Sequence, residues 1–365
     1  MALGGGHGEH RHLRLNKNEI TGALGDSITA LPLVVALGIV TDISLPHVLV
    51  AFGGFQIIWG IVYGFPISVE PMKALAALAI AGALSYAELA LAGLALGIVL
   101  LVIGLSGTLS AVGRWIGQPV IRGIQFAVAL LLLEMSYRLV IDDLLVGGAG
   151  VVLVLSVSLG GFYNASALAV LGTGVLVAIY SGGGIELQWP GLPPVPAIDS
   201  VGLWRTADGA IAQLAMTIGN AALATSLLVS DLFDREISPD DLASSMGVTN
   251  LVAIPAGGIP MCHGCDGVAG KYEFGARTGG ANVVLGVGYL LAAFVLTTAL
   301  LAEFPLALLG VLLAIVAIAL GKAAVKSTNI ALSVVIGITA ILANLALAFL
   351  LGVLVHLLLT RGIHR

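Results

Sequence analysis

Long apolar runs, separated by short polar intervals, occupy almost the whole chain between residues 18 and 360. Most of them approach the length of about 20 residues that an α-helix needs to cross the hydrocarbon core of a bilayer. The pattern predicts an all-α polytopic membrane protein with about fourteen spans, seven on each side of a Gly- and Pro-rich interval at 183–205. The predicted spans are 18–40, 44–62, 66–83, 85–106, 117–138, 145–160, 164–182, 206–231, 242–256, 261–274, 280–302, 304–322, 328–342 and 343–360.

Polar intervals divide the predicted spans into domains. A polar N-terminal tail covers 1–17, a first repeat covers 18–182, an extracytoplasmic linker covers 183–205, and a second repeat covers 206–360. No C-terminal regulatory domain is expected, because few residues follow the last span. Twelve spans remain the alternative, since the segments near 145–160 and 328–360 are the weakest in the pattern.

Composition and charge agree with a membrane protein. Of 365 residues, 59% are hydrophobic and 10% are charged, whereas about a quarter of a soluble chain is charged. With the N-terminus inside, most Arg and Lys residues between spans fall on the inner side, and the outer side receives Arg138 and Arg205. This asymmetry follows the positive-inside rule and predicts a multi-pass protein of the cell membrane with both termini in the cytoplasm.

The third predicted span is interrupted near its start. Residues 64–81 read GFPISVEPMKALAALAIA, with Pro66 and Pro71 on either side of a short alternating run. Proline stops a helix upstream of itself but is accepted in a first helical turn, so a helix should start near Pro71. Irregular backbone at membrane depth is tolerated only where it lines a cavity inside the protein. A helix start facing such a cavity attracts anions.

The tenth predicted span contains a matching interruption. GGIPMCHGCDG at 257–267 aligns with the first break when Pro260 is placed on Pro66. Because each half has an odd number of spans, the halves should have opposite orientations. Paired interruptions at matching positions of inverted halves indicate a transporter site near the bilayer midplane. A pair of kinks without a ligand is the alternative.

Glu70 and Lys73 introduce opposite charges one helical turn apart within the first break. A lysine in the first turn of a helix is unfavourable to the helix dipole and needs a compensating negative charge. That charge could come from an anionic substrate or from Glu70 itself, and the sequence leaves both possibilities open. Intramembrane ionisable residues are functional candidates by default.

Polar residues in the first and eighth spans could flank the same cavity, because these spans are repeat partners. Asp26 and Ser27 lie early in the first span, and Gln213, Thr217 and Asn220 are spaced to share one face of an α-helix. Neutral donors can hydrogen-bond an oxyanion without burying another charge. Hydrogen bonding between helices is the alternative.

The predicted substrate site therefore combines four stretches of the chain. It comprises Asp26, Ser27, Glu70, Pro71, Met72, Lys73, Gln213, Thr217, Asn220, His263, Gly264, Cys265, Asp266 and Gly267. Asp26, Glu70 and Asp266 are the candidates for proton coupling, since a buried carboxyl group can carry a proton. The spacing Cys262-His263-Gly264-Cys265 is an incomplete zinc set, so no metal site and no cofactor are expected.

Four stretches resemble the MOT-type molybdate transporters, a branch related to the sulfate permeases. They are GALGDSITALPLVVAL at 22–37, FGGFQIIWGIVYGFPISVEPMKALAALAI at 52–80, AQLAMTIGNAALAT at 212–225 and GGIPMCHGCDGVAGKYEFGARTGGANVVLG at 257–286. The resemblance implies uptake of molybdate, a tetrahedral dianion. It also implies the inverted seven-plus-seven fold of uracil transporters, with a core domain (spans 1–4 and 8–11) and a gate domain (spans 5–7 and 12–14).

In that fold the substrate lies between the helix starts of spans 3 and 10, which correspond here to 71–73 and 263–267. Spans 1 and 8 flank it with Asp26, Ser27 and Asn220. Glu70 departs from the glutamine of many plant members, and a carboxylate beside a dianion is repulsive unless it is protonated or paired with Lys73.

We expect a secondary active transporter for molybdate, rather than an enzyme, that works by elevator-like movement of the core past the gate. A sulfate or tungstate transporter, or an anion channel of the same fold, is the alternative. The expected partners are the oxyanion and the lipid bilayer, with a homodimer as a hypothesis and no nucleic acid.

Overall fold

The computed structural model describes residues 13–182, 186–196 and 201–362. Most of the predicted N-terminal tail, and residues 183–185 and 197–200 of the predicted linker, lie outside the described residues.

The first half of the chain is helical apart from one short strand. Its elements are α1 (Lys17–Val40), α2 (Leu45–Tyr63), β1 (Glu70–Pro71), α3 (Lys73–Ile80), α4 (Tyr86–Ser106), α5 (Leu109–Ile116), α6 (Gln118–Asp142), α7 (Leu144–Leu159) and α8 (Ser166–Gly182), with a 3₁₀ turn at Tyr163–Ala165.

The second half contains the other strand. Its elements are α9 (Leu203–Met216), a π-helical segment (Thr217–Ala224), α10 (Thr225–Phe233), α11 (Pro239–Ala253), β2 (Met261–Cys262), α12 (Cys265–Glu273), α13 (Gly280–Ala293), α14 (Thr298–Ala302), α15 (Leu306–Val325), α16 (Ile330–Leu342) and α17 (Leu345–Gly362).

Local sequence explains where several helices begin and bend. Ser85 and Glu88 form a capping box at the start of α4. The two parts of α1, Lys17–Ile28 and Ala30–Val40, meet at an angle of 50°. Pro32 lies within α1, where it cannot donate to the carbonyl of Ile28, and this missing hydrogen bond accounts for the bend.

Several predicted spans differ in detail from the observed helices. The helix of span 66–83 is confined to Lys73–Ile80. Span 206–231 becomes an α-helix, a π-helical segment and a second α-helix. Span 280–302 is divided into α13 and α14, because the Thr297 side chain accepts a hydrogen bond from Leu300 N–H and starts a new helix.

Within the described residues, four helices are long and apolar enough to cross a membrane, namely Leu45–Tyr63, Tyr86–Ser106, Gln118–Asp142 and Leu203–Phe233. The bent α1 would add a fifth, and shorter apolar helices lie in α7, α8, α13, α15, α16 and α17. Large apolar side chains such as Leu145 and Leu159 on α7 are exposed. Lipid tails can cover such a surface, whereas soluble monomers rarely expose large apolar patches.

The helices pack in two groups. In the first helix group, which we define as α1–α4 and α9–α13, α4 packs against α11, α2 against α13 and α1 against α12. In the second helix group, defined as α6–α8 and α15–α17, α6 packs against α15 and α16, and α7 packs against α8 and α15. Both strands belong to the first helix group, so the candidate site is built mainly there.

Candidate functional site

The two interrupted stretches meet as a short antiparallel strand pair. Glu70 pairs with Cys262, and Pro71 pairs with Met261. Met72 N–H extends the pairing by donating to Pro260 O at 2.9 Å. Helix α3 begins two residues after the end of β1, and α12 begins three residues after the end of β2. The strand pair therefore brings two helix starts together, and first-turn N–H groups have no acceptor within their own helix.

Lys73 joins these two helix starts. Its Nζ lies 2.9 Å from Glu70 Oε2 and 3.0 Å from Asp266 Oδ2. Lys73 is 4% exposed, whereas the side chain of Asp266 is 48% exposed. Lys73 therefore pairs with Glu70, as their spacing of three residues allows. It also pairs with Asp266, whose side chain is partly open to solvent.

A second buried ion pair lies behind the first. Lys271 Nζ is 2.9 Å from Asp26 Oδ2, and it donates to Gln56 Oε1 at 3.0 Å and to Ile67 O at 2.6 Å. Asn282 Nδ2 also donates to Gln56 Oε1, at 2.6 Å. Lys271, Gln56 and Asn282 were missed by the sequence reasoning. The signal was present for Lys271, because a lysine inside a predicted span is a functional candidate.

Ser68 connects the two ion pairs. Its hydroxyl oxygen lies 2.7 Å from Asp26 Oδ1 and 3.0 Å from Glu70 Oε1. One hydroxyl carries one proton, so it can donate to only one carboxylate at a time. The second contact is a hydrogen bond only when that carboxyl group carries a proton of its own. The arrangement thus suits a proton held between Asp26 and Glu70.

His263 lies behind the strand pair with both ring nitrogens engaged. Nδ1 is 2.7 Å from Ser68 O, and Nε2 is 2.8 Å from Ser245 Oγ. Ser245 also accepts a hydrogen bond from Tyr63 OH at 2.8 Å. His263 O accepts a hydrogen bond from Thr225 Oγ1 at 3.0 Å. The imidazole thus fixes the backbone of the first break and has no free nitrogen for a ligand.

The predicted polar residues of the eighth span divide between two tasks. Gln213 Oε1 accepts a hydrogen bond from Ala74 N–H at 2.9 Å, and its Nε2 donates to Thr217 Oγ1 at 2.9 Å. Both residues therefore hold the start of α3. Asn220 Oδ1 instead accepts a hydrogen bond from Cys265 Sγ at 3.1 Å, at the start of α12. The π-helical segment takes more residues per turn, which separates Asn220 from the face that α-helical spacing predicts.

Two glycines at the start of α12 permit the close approach of the carboxylates. A Cβ added at Gly267 would overlap Asp26 Oδ1, Ser68 Oγ and Glu70 Oε1. A Cβ added at Gly264 would overlap the carboxylate of Glu70. Glycine is thus required at both positions for the backbone to lie against charged groups.

The remaining predicted site residues are buried around this centre. Ser27 and Met72 are nearly inaccessible, and Pro71 contributes its backbone to β1. Cys262 and Cys265 are free thiols. Within the described residues, no group of three or more His, Cys, Asp and Glu side chains is placed to hold a metal ion.

A cavity of about 460 Å³ borders the site. It lies between α5 and α6 on one side and the π-helical segment on the other, and its lining includes Arg114, Arg122 and Asn220. Asn220 is therefore shared between the cavity wall and the start of α12. A volume of this size is ordinary for a small-ligand pocket.

The sequence of the chain matches a known family in both halves. The family described as "Molybdate transporter of MFS superfamily" matches residues 18–132 and 205–320, which is more than half of the chain. The chain belongs to the molybdate transporter family. Molybdate transporter 2 of Arabidopsis thaliana is 29% identical over 96% of this chain and 89% of its own length. Molybdate transporter 1 of Arabidopsis thaliana is 31% identical over 84% of this chain and 79% of its own length.

Membership of the molybdate transporter family confirms the resemblance seen in the sequence and the expectation of a transporter rather than an enzyme. The fold is similar to that of two solved transporters. The transmembrane domain of the cyanobacterial bicarbonate transporter BicA has a TM-score of 0.65 and 17% identity, covering 94% of this chain and 98% of its own. The murine Slc26a9 anion transporter has a TM-score of 0.71 and 14% identity, covering 94% of this chain and 68% of its own. The prediction of a helical, multi-pass membrane protein is thereby confirmed.

Proposed function

We propose that this protein is a secondary active transporter that takes up molybdate across the cell membrane. The observation that carries the proposal is the position of Lys73, whose ammonium group joins two helix starts and has one half-exposed partner, Asp266. A tetrahedral oxyanion entering from the cavity can take the place of Asp266 at Lys73 and accept hydrogen bonds from first-turn amides. Family membership supports molybdate as the oxyanion.

The predicted site residues have three kinds of role in this proposal. Lys73, Cys265, Asp266 and Asn220 lie where the oxyanion binds. Gln213, Thr217 and His263 position the helix starts, as their hydrogen bonds to the chain around α3 and β2 indicate. The other polar residues are buried behind the proposed binding position, namely Asp26, Ser27 and Glu70. Gly264 and Gly267 allow the backbone at the start of α12 to lie against the carboxylates of Asp26 and Glu70.

Charge balance favours proton coupling. The ion-pair centre contains two ammonium groups and three carboxylates, so its formal charge is −1 when all five groups are ionised. A dianion would raise the negative charge further in a place where water is scarce, which is costly. A proton on Glu70 or Asp26 reduces this cost, and the position of Ser68 between these carboxyl groups supports it. We therefore propose that molybdate enters together with a proton.

The architecture proposed is a fourteen-span inverted repeat in which the first helix group moves past the second. Two observations support it. The family matches in two segments that begin at the first predicted span of each half. The strand pair joins the third predicted span to the tenth, and the packing of α2 against α13 matches that of α4 against α11 when the two halves are exchanged. A homodimer and cytoplasmic termini remain predictions.

Binding competition on the purified full chain tests the proposed substrate. Molybdate, tungstate, sulfate, bicarbonate and uracil would be compared by calorimetry, followed by uptake of molybdate into proteoliposomes with and without an inward proton gradient. The proposal expects molybdate to bind, uracil not to compete, and the gradient to increase uptake. Tighter binding of sulfate would reassign the substrate, and passive flux unaffected by the gradient would support an anion channel.

A further inference from the structure

Arg122 is a cation next to the site that the sequence reasoning did not use. It lies near the start of α6, in the second helix group, and lines the cavity. Its Nη1 donates to Gln125 Oε1 at 2.8 Å. Its Nε is buried and has no hydrogen-bond partner in the described part of the chain. A buried N–H without an acceptor is costly, so this atom points to a ligand.

The free edge of Arg122 has a suitable shape for an oxyanion. Because Nη1 is held by Gln125, the edge formed by Nε and Nη2 remains for a ligand. These two groups donate in parallel and match two oxygens of a tetrahedral or planar anion. Lysine offers a single point charge and cannot reproduce this geometry.

Helix α6 packs closely against the π-helical segment at the residue next to Arg122. A Cβ added at Gly219 would overlap Ile121, the neighbour of Arg122 on α6. Across the cavity, Asn220 contacts Cys265. Because Arg122 and Asn220 line the same cavity, the guanidinium lies across that cavity from the residue that contacts the start of α12.

Charge balance gives this guanidinium a role. Lys73 and Lys271 are already paired with carboxylates, and the ion-pair centre is negative overall. An entering dianion therefore needs a cation from outside the centre. Arg114 also lines the cavity, but it is exposed and lies on α5, whereas Arg122 is partly buried and its buried Nε has no hydrogen-bond partner among the described residues.

We propose that Arg122 binds the transported oxyanion through its Nε–Nη2 edge, so that the substrate is held between α6 of the second helix group and α12 of the first. This inference rests on the proposed function and adds a contact from the second helix group to it. The bound anion then bridges the two groups and links occupancy of the site to their relative position.

The test measures molybdate binding to the purified full chain by calorimetry. The variants are Arg122→Gln, Arg122→Lys and the control Arg235→Gln, which changes an exposed arginine in the loop between α10 and α11. Loss of a charge-assisted bidentate contact should weaken binding by about 10- to 100-fold in Arg122→Gln. Arg122→Lys should recover part of this loss, and Arg235→Gln should stay within about twofold of the wild type.

Each result decides between the two proposals. Wild-type affinity in Arg122→Gln would overturn the role of Arg122 while leaving the proposed function intact. A wild-type protein that binds neither molybdate, tungstate nor sulfate would contradict the proposed function and this inference together. If Arg122→Gln fails to fold, as judged by its elution profile and thermal unfolding, Arg122→Lys replaces it, because lysine keeps the charge and removes the bidentate edge. Weaker molybdate binding by Arg122→Lys than by the wild type would then support the role of Arg122, and wild-type affinity would overturn it.

Discussion

At the scale of single residues, Lys73 is the group that links the two breaks of the candidate site. It neutralises a buried carboxylate on its own break and a half-exposed one on the other. The pair with Glu70 could be predicted from a spacing of three residues. The pair with Asp266 could not be assigned, because the two residues are 193 positions apart and meet only when the breaks pair as strands.

Replacing Lys73 with alanine should abolish oxyanion binding and destabilise the protein. Removing one partner of a buried ion pair typically costs about 3–5 kcal/mol, since the other charge is left uncompensated. We expect molybdate affinity to fall by at least about 100-fold and the unfolding temperature to drop. Calorimetry and thermal unfolding in detergent measure both effects.

The double variant Lys73→Ala/Glu70→Gln separates the two consequences. It removes the orphaned charge on Glu70, so stability should recover in part while binding stays lost. Molybdate affinity in Lys73→Ala equal to that of the wild type would show that the lysine is purely structural.

Glu70→Gln should flatten the dependence of uptake on pH. Glu70 faces Lys73, contacts Ser68 and lies in the field of Asp26 and Asp266. Its protonated form carries less negative charge next to a dianion, so wild-type uptake should rise as the external pH falls. Glutamine is neutral at every pH, and uptake by the variant should vary less. Initial rates in proteoliposomes from pH 5 to 8 measure this, and an identical profile would place the coupling proton elsewhere.

At the scale of elements, the two interruptions and the helix starts after them were predictable, because proline and glycine leave a local signal. The π-helical segment was not. Its sequence, TIGNAALA, has an ordinary helical composition, and its extra residue per turn is stabilised by contacts with α5, α6, α11 and α12 that a local pattern does not contain. That shift is the reason why Gln213 and Asn220 serve different helix starts.

Gly267→Ala should disrupt the junction between α12 and the strand pair. The added methyl group would overlap three polar side chains, two of them carboxylates. Overpacking of this kind costs about 1–3 kcal/mol, and relieving it would move α12 away from Lys73. We expect a lower unfolding temperature and weaker molybdate binding.

Gly288→Ala is the matched control for this element. Gly288 lies in α13, and an added Cβ there meets no atom within 4 Å. Alanine favours a helix over glycine, so this variant should be as stable as the wild type or slightly more so. Equal behaviour of the two variants would contradict a packing role for Gly267.

At the scale of the whole molecule, the negative ion-pair centre belongs to the first helix group, and the cavity lies between α6 of the second group and the π-helical segment. The helical membrane architecture followed from hydrophobic patterning, and the position of the breaks from proline and glycine. The contact between α6 and the π-helical segment could not be predicted in this way. It depends on close packing of Ile121 against Gly219, which no local sequence pattern indicates. This contact places Arg122 beside the site, and it also offers a direct test of relative movement.

A disulfide across the two groups should stop transport. At Gly219, an added Cβ would lie 2.9 and 3.1 Å from Cγ1 and Cγ2 of Ile121, so Cys replacements at both positions fall within reach of a disulfide. Oxidation of Gly219→Cys/Ile121→Cys should abolish molybdate uptake, and reduction should restore it. The control Gly150→Cys/Val311→Cys joins α7 and α15 within the second group, where the added Cβ lies 3.6 Å from Cβ of Val311. It should keep its uptake when oxidised, as should the wild type with its native cysteines. Uptake that persists in the oxidised cross-group variant would mean that transport needs no movement at this contact, and the elevator mechanism would have to be replaced by local gating within the cavity.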